Sequence, residues 1–243
     1  MAEHSTANHL IGFTATVARV AIITGNPDRV EVIADLLGST TSRGSRRGFT
    51  WRVLEELDLP LMVCSTGIGS PSAAIVVEEL ADIGIRAIVR IGTCGAVSDQ
   101  VAPAELVVST GCVRHEGTTP QYIELAYPAV PGHLVLSAMV VKAPELDVPV
   151  HFGVTHCKDS YYSEQPDRNV DRDRLASQWA VLRRAGVLAT EMEAAALFVI
   201  GGLRGLQCGA VLIPADPDTD PAALHRALAS AAELGLHALR AAR

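Results

Sequence analysis

No apolar run in the chain approaches the roughly 20 residues that a membrane-crossing helix needs, and no block is rich in lysine and arginine. The first absence excludes a helical membrane span. The second, with a net charge of −7 and a pI of about 5.6, excludes an extended nucleic-acid surface. The cysteines Cys64, Cys94, Cys112, Cys157 and Cys208 show no C-x-x-C spacing, which argues against a disulfide framework and against a zinc site. Most are expected as buried reduced thiols. No internal repeat or low-complexity linker interrupts the chain, and MAEHSTANHL lacks the basic-then-apolar order of a secretory signal. A cytoplasmic location is therefore expected, with neither nucleic acid nor membrane as a partner. What is present is 243 residues, 49% hydrophobic and 19% charged, enough to bury one large core. A single α/β domain over residues 1–243 is expected.

The stretch from Leu61 to Ala96 frames the chemistry. Leu61-Met62-Val63-Cys64 is a short continuous apolar run of the kind found in a strand buried on both faces. It ends at Ser65-Thr66-Gly67-Ile68-Gly69, after which Ser70 is expected to cap a helix that has Pro71 at its first position. Ala73, Val76, Val77, Leu80 and Ile83 form the apolar stripe of that helix, leaving Glu78, Glu79 and Asp82 on the opposite surface. Gly84 closes it. Ile85 to Ile91 returns as a second apolar strand, and Gly92-Thr93-Cys94-Gly95 reads as a glycine turn in which Cys94 lines the site. Arg90 near the end of this strand is costly without a partner, so it invites an anion, with Thr93 and the Gly92 and Gly95 backbone facing the same crevice. The alternative is an internal salt bridge to a carboxylate. Gly67-x-Gly69-x-x-Ala73 also matches a dinucleotide fingerprint locally. The next strand, however, ends in Arg90 and offers no carboxylate before Asp99, so a nonenzymatic, Rossmann-like nucleotide-binding module ranks below an anionic substrate.

A second strand-to-helix turn precedes this one. Val17 to Thr24 reads as a strand, Asn26 as a cap and Pro27 as a helix start, with Val30, Ile33, Ala34 and Leu37 as the buried stripe and Gly38 as the stop. Backbone N–H groups at such a start suit a phosphate, and Arg29 at the positive end of a helix dipole is sensible when an anion bridges the two. Thr40 to Thr50 reads as a Gly/Ser/Arg-rich loop whose Arg43, Arg46 and Arg47 are either solvated or reach a neighbouring site. Further strands are expected at Trp51 to Leu57, Glu105 to Ser109, Pro149 to Thr155 and Gln207 to Pro214. Helices are expected near His133 to Lys142, Arg172 to Ala185 and from Pro221 onward. After Thr155 comes HCKDSYYSEQPDR, where Tyr161 or Tyr162 can stack on a planar base and Gln165 can read its edge. Glu191-Met192-Glu193 opens an alanine-rich helix. Its two carboxylates are read as pointing in different directions, one of them free to accept vicinal sugar hydroxyls, with helix-dipole complementarity as the alternative.

Gly25-Asn-Pro-Asp-Arg29, Ser65-Thr-Gly-Ile-Gly69, Arg90-Ile-Gly-Thr-x-Gly95 and Glu191-Met-Glu193, in this order, resemble the nucleoside phosphorylase-I family, most closely the bacterial uridine phosphorylases. The resemblance runs from about His9 to the last helix. It implies a three-layer α/β/α fold with a mixed, distorted central sheet, and a hexamer built as a trimer of dimers whose active sites are shared across each dimer. It implies phosphate binding by Gly25, Arg29, Arg90 and Thr93, with Arg47 donated by the neighbouring subunit. Ribose falls to His9, also from across the dimer, and to Thr93, Glu191, Met192 and Glu193. The base falls to Cys94, Gly95, Tyr161, Gln165 and Arg168. The activity implied is reversible phosphorolysis of uridine to uracil and ribose 1-phosphate, without metal or cofactor and with inorganic phosphate as co-substrate; Arg90, Glu193 and Gln165 carry it. Three departures stand out. The family arginine two places after the glutamine is Asp167 here, with Arg168 one further on. Gly48 replaces a glutamate that holds a potassium ion between subunits, so no such ion is expected. Ile213-Pro214-Ala215-Asp216 matches neither the purine nor the uridine pattern, which keeps purine nucleoside phosphorylase as the nearest alternative. A nucleosidase is disfavoured, since water needs no arginines around it.

Overall fold

A computed structural model describes residues 10–13, 16–55 and 58–242. Among the described residues, nine strands form one sheet: β1 Val20–Thr24, β2 Ser42–Arg46, β3 Phe49–Leu54, β4 Leu61–Ser65, β5 Ala87–Ala96, β6 Leu106–His115, β7 Val150–Lys158, β8 Ala189–Glu191 and β9 Gln207–Pro214. Six α-helices of the described residues flank it: α1 Pro27–Leu37, α2 Ser70–Asp82, α3 His133–Lys142, α4 Arg172–Arg184, α5 Ala194–Leu203 and α6 Pro221–Ala241. The strand order is β2-β3-β4-β1-β5-β8-β7-β6-β9, and β9 pairs a second time, in parallel, with β5. The sheet therefore closes on itself into a ring, β5-β8-β7-β6-β9, with β4, β1 and the β2–β3 hairpin trailing from β5 as an open wing. This is the mixed, distorted sheet expected.

Period-two alternation places a core on each face. Along β1, Ala21 and Ile23 pack with Met62 and Cys64 of β4 against α2 and α5. Val20 and Ile22 pack with Leu61 and Val63 against α1, α3 and α6. The result is the expected α/β/α layering. α5 is buried on every side, Ala194 through Gly201, because it lies between the ring and α2.

Several boundaries differ from expectation for physical reasons. The glycine turn at 92–95 is strand: β5 runs through Ala96 because β9 pairs with it from Ala87↔Gln207 to Cys94↔Pro214. The arginine loop is the β2–β3 hairpin, turning at Arg47 and Gly48 with both residues at positive φ. Glu191 ends a strand rather than opening a helix. Gly69, at φ 92, caps α2, so Pro71 occupies the second helical position.

Glu79 is a further correction: it is buried, not on the outer surface. Its carboxylate accepts the backbone N–H groups of Leu10 (2.7 Å), Ile11 (3.0 and 3.1 Å) and Gly12 (2.7 Å). A charged acceptor for clustered amides is a strong arrangement, and emptying it leaves buried donors unpaired. Glu79→Ala is expected to cost on the order of 2–3 kcal/mol in urea unfolding; a loss below the error of the measurement would show that residues 10–12 are held by packing alone.

Candidate active site

β1, β4 and β5 are mutually parallel through β1, so their carboxyl ends share one rim of the sheet. Open α/β sheets bind ligands at such a rim. The β1–α1 turn is pinned by Asn26, whose side chain accepts the Asp28 N–H at 2.9 Å, and α1 then lifts Arg29 over β5. The Arg29 Nη1 lies 3.4 Å from Thr93 Oγ1.

Arg90 is the centre of the cluster and is 3% exposed. Its Nε donates to Glu191 Oε2 at 3.1 Å and its Nη2 to Glu193 Oε2. Both carboxylates thus converge on one guanidinium, which corrects the expectation that they point apart and realises the internal ion pair. A strand end followed directly by a helix start swings Glu193 back towards Glu191, whose carboxylate also accepts the backbone N–H groups of Glu193 (2.8 Å) and Ala194 (2.9 and 3.0 Å). Gly92 leaves room for the Arg90 guanidinium, since a Cβ there would lie 2.6 Å from it. Burial opposes the Arg90 charge, but Glu193 and Glu191 outweigh that and hold its pKa above the ordinary value.

One nitrogen is left over. Arg90 Nη1 is buried with no hydrogen-bond partner, one of three such side-chain atoms among the described residues. Buried donors are almost always paired, so an orphan on a guanidinium marks a place for an acceptor. Arg29 is its neighbour: burial first, and then the positive charge of Arg90, push the Arg29 guanidinium below its usual range. Two cations held close enough to depress one of them are relieved by an anion between them.

Glu193 Oε1 accepts the Gly69 N–H at 2.6 Å. The amide that a dinucleotide pyrophosphate would need is already satisfied by a carboxylate, which removes the fingerprint reading of Gly67 to Ala73. Ser70 Oγ donates to the Met192 carbonyl at 3.0 Å and fixes the Glu-Met-Glu run against α2. Cys94 is buried on β5, and burial pushes its thiol well above the usual range, so it lines the site as a neutral group. Gly95 is exposed beside it.

Beyond β7, Tyr161 and Tyr162 are exposed and meet edge to face at 5.3 Å, while Gln165 is half-buried. Arg168 stacks 4.6 Å over the Tyr162 ring, and its N–H donates to the Gln165 carbonyl at 2.9 Å. Lys158, unremarked in the sequence, ion-pairs with Glu164 and lies 5.9 Å from the Tyr161 ring, tying this loop to β7. Burial lowers its ammonium to about 8, against the pull of Glu191 and Cys157. A lone cation ending an apolar strand was the signal that singled out Arg90, and it applies equally to Lys158. Arg47 is exposed on the β2–β3 hairpin at the outer edge of the wing, away from β5 in the order β2-β3-β4-β1-β5. His9 lies outside the described residues. Asp216 turns inward on its own loop, accepting from Thr219 Oγ1 at 2.8 Å and from the Asp218 N–H at 3.0 Å.

With this geometry, the family follows from comparison. A profile described as Phosphorylase superfamily matches residues 19–241. The chain belongs to the phosphorylase superfamily. It is 37% identical to the guanosine phosphorylase of Halorubrum lacusprofundi over 84% of this chain and 80% of that one. It is 38% identical to the uridine phosphorylase of Escherichia coli (strain K12) over 80% of this chain and 78% of that one. The crystal structure of uridine phosphorylase from Vibrio fischeri ES114 superposes with a TM-score of 0.84 at 32% identity, covering 93% of each chain.

Among the described residues of this superfamily member, no helix is long and apolar enough to cross a membrane.

Proposed function

We propose that the protein is a uridine phosphorylase, a pentosyltransferase that exchanges uracil for phosphate at C1′ of the riboside. The observation that carries this reading is the partnerless Arg90 Nη1 set beside Arg29, an anion site at the rim of the sheet. The relatives named uridine phosphorylase supply the substrate class.

Phosphate is held by the Gly25 backbone, Arg29, Arg90 and Thr93, with Arg47 from a neighbouring copy completing the cage. Glu193 takes the ribose 2′- and 3′-hydroxyls, while Glu191 acts one step back by fixing Arg90 and the Glu193 backbone. Met192 and, from a second copy, His9 complete the ribose contacts. Gln165 reads the uracil edge, with Cys94, Gly95 and Tyr161 lining the pocket; Arg168 reaches the base only by leaving Tyr162. As the glycosidic bond lengthens, the sugar becomes oxocarbenium-like. A phosphate dianion preorganised against that carbon stabilises the cation and then bonds to it, giving ribose 1-phosphate with inverted anomeric configuration. Uracil leaves as an anion that accepts hydrogen bonds from Gln165. The working unit in this reading is one domain per chain in a cytoplasmic hexamer, a trimer of dimers.

The guanosine phosphorylase relative keeps a purine substrate as the second reading. Against it stands Asp216, whose carboxylate is engaged in its own turn. Ultraviolet-monitored cleavage of uridine, inosine and guanosine, each with and without inorganic phosphate, decides the matter. Phosphate-dependent loss of uridine is expected. Loss of the purine nucleosides alone would keep the phosphate site and reject the base assignment.

A further inference from the structure

We propose that Cys112, Cys157 and Glu191 form a binding site for a soft divalent cation of the zinc class, placed directly behind the Arg90 cluster. The site comes from three adjacent strands. In the parallel β6–β7 pair, Cys112 is opposite Thr155 and Arg114 opposite Cys157, so Cys112 and Cys157 are diagonal neighbours on one face of the sheet. In the parallel β7–β8 pair, Cys157 is directly opposite Glu191. One ligand atom from each of the three lies within 4.8 Å of the others. C-x-x-C spacing is not needed for such a set: sheet pairing brings together what the sequence keeps apart.

The chemistry of the donors fits the ion. Two sulfurs and a carboxylate oxygen make a three-ligand set that leaves one tetrahedral position open. Glu191 Oε1 accepts the Ala194 N–H, whereas Oε2 carries Arg90 and two backbone donors, so Oε1 is the less loaded oxygen. The surroundings are already arranged about sulfur: Thr155 Oγ1 lies 3.5 Å from Cys112 Sγ and Ser70 Oγ 3.5 Å from Cys157 Sγ. Cys112 is half-buried and gives solvent access, while Cys157 and Glu191 are buried. Each metal–sulfur bond replaces an S–H bond, and the displaced proton leaves to solvent. The ion then shares the carboxylate that fixes Arg90. Binding itself rests on the strand geometry alone; its inhibition of phosphorolysis rests on the function proposed above.

Cadmium is the optical probe. Titrated into the purified full chain in a thiol-free reductant, it is expected to give an ultraviolet cadmium–thiolate charge-transfer band saturating at one ion per chain, with proton release on binding seen by calorimetry in buffers of different ionisation enthalpy. Cys112→Ser and Cys157→Ser, each checked for native circular dichroism, are expected to lose affinity by at least roughly tenfold. Cys94→Ser, altering a thiol outside the cluster, is expected to keep the band. Absence of the band in the parent, or its persistence undiminished in the Cys112→Ser/Cys157→Ser double variant, would overturn the site. Zinc that inhibits uridine cleavage in the parent and spares that double variant supports the coupling through Glu191. Equal inhibition of both overturns that coupling while the band still reports the site.

Discussion

Arg90→Met is expected to abolish most phosphorolysis and to destabilise the fold at once. Charge-assisted hydrogen bonds contribute about 1.5–3 kcal/mol each, so losing the contacts that Arg90 offers phosphate lowers kcat/KM by roughly 10²–10⁴-fold. The same substitution leaves Glu191 and Glu193 buried without their cation. Breaking one side of a buried pair costs about 3–5 kcal/mol, because the remaining charge has neither water nor partner. The pH dependence separates this from a simple cavity. Burial already raises the Glu191 pKa against the pull of Arg90, and removing the arginine raises it further, so the penalty is full at neutral pH and shrinks as pH falls and Glu191 takes up its proton. Urea unfolding at neutral and mildly acidic pH should show the variant's deficit narrowing. A deficit independent of pH, or full activity with phosphate, would remove Arg90 from the role assigned to it.

Glu193→Gln tests the sugar half of the site. The amide has the size of the carboxylate and its oxygen can still accept the Gly69 N–H, so the fold should survive. Its NH2, however, faces the Arg90 Nη2 donor, and it presents a weaker acceptor to the vicinal hydroxyls. Turnover of uridine is expected to fall by about 10²–10³-fold, in keeping with two weakened charge-assisted contacts. For 2′-deoxyuridine, which lacks one of those hydroxyls, the drop should be smaller. An equal drop for both nucleosides would mean that Glu193 acts only through Arg90.

The parts of the fold that were readable share one cause, an unbroken apolar run with punctuation at its ends. Asn26-Pro27 opened α1 and Gly38 closed it as read, and α3 and β9 matched over His133–Lys142 and Gln207–Pro214. Where a strand was cut short, tertiary pairing had overridden local preference. Gly92 and Gly95 signal a turn in isolation, but β9 supplies a parallel partner and the Arg90 guanidinium occupies the space that a side chain would fill. Glu79 was placed on the polar face by helical period, which carries no information about the segment at Leu10 to Gly12 that seeks its carboxylate. Of the candidate site, Arg90 was legible because a cation beside an apolar strand is anomalous anywhere. The joint hold of Glu191 and Glu193 on Arg90 was not, since it depends on how a strand end meets a helix start. Nor was the meeting of Cys112 with Cys157, which only the β6–β7 register creates.

The Arg90 ion pairs span 101 and 103 residues of chain. On a ribosome, β5 emerges long before Glu191 and Glu193 exist to receive its guanidinium. An uncompensated cation is a strong brake on burial, so the amino-terminal wing cannot seal its sheet rim around Arg90 until the Glu-Met-Glu run has been made. The rim and the buried core beneath it are therefore completed together, by residues that lie far apart in the chain.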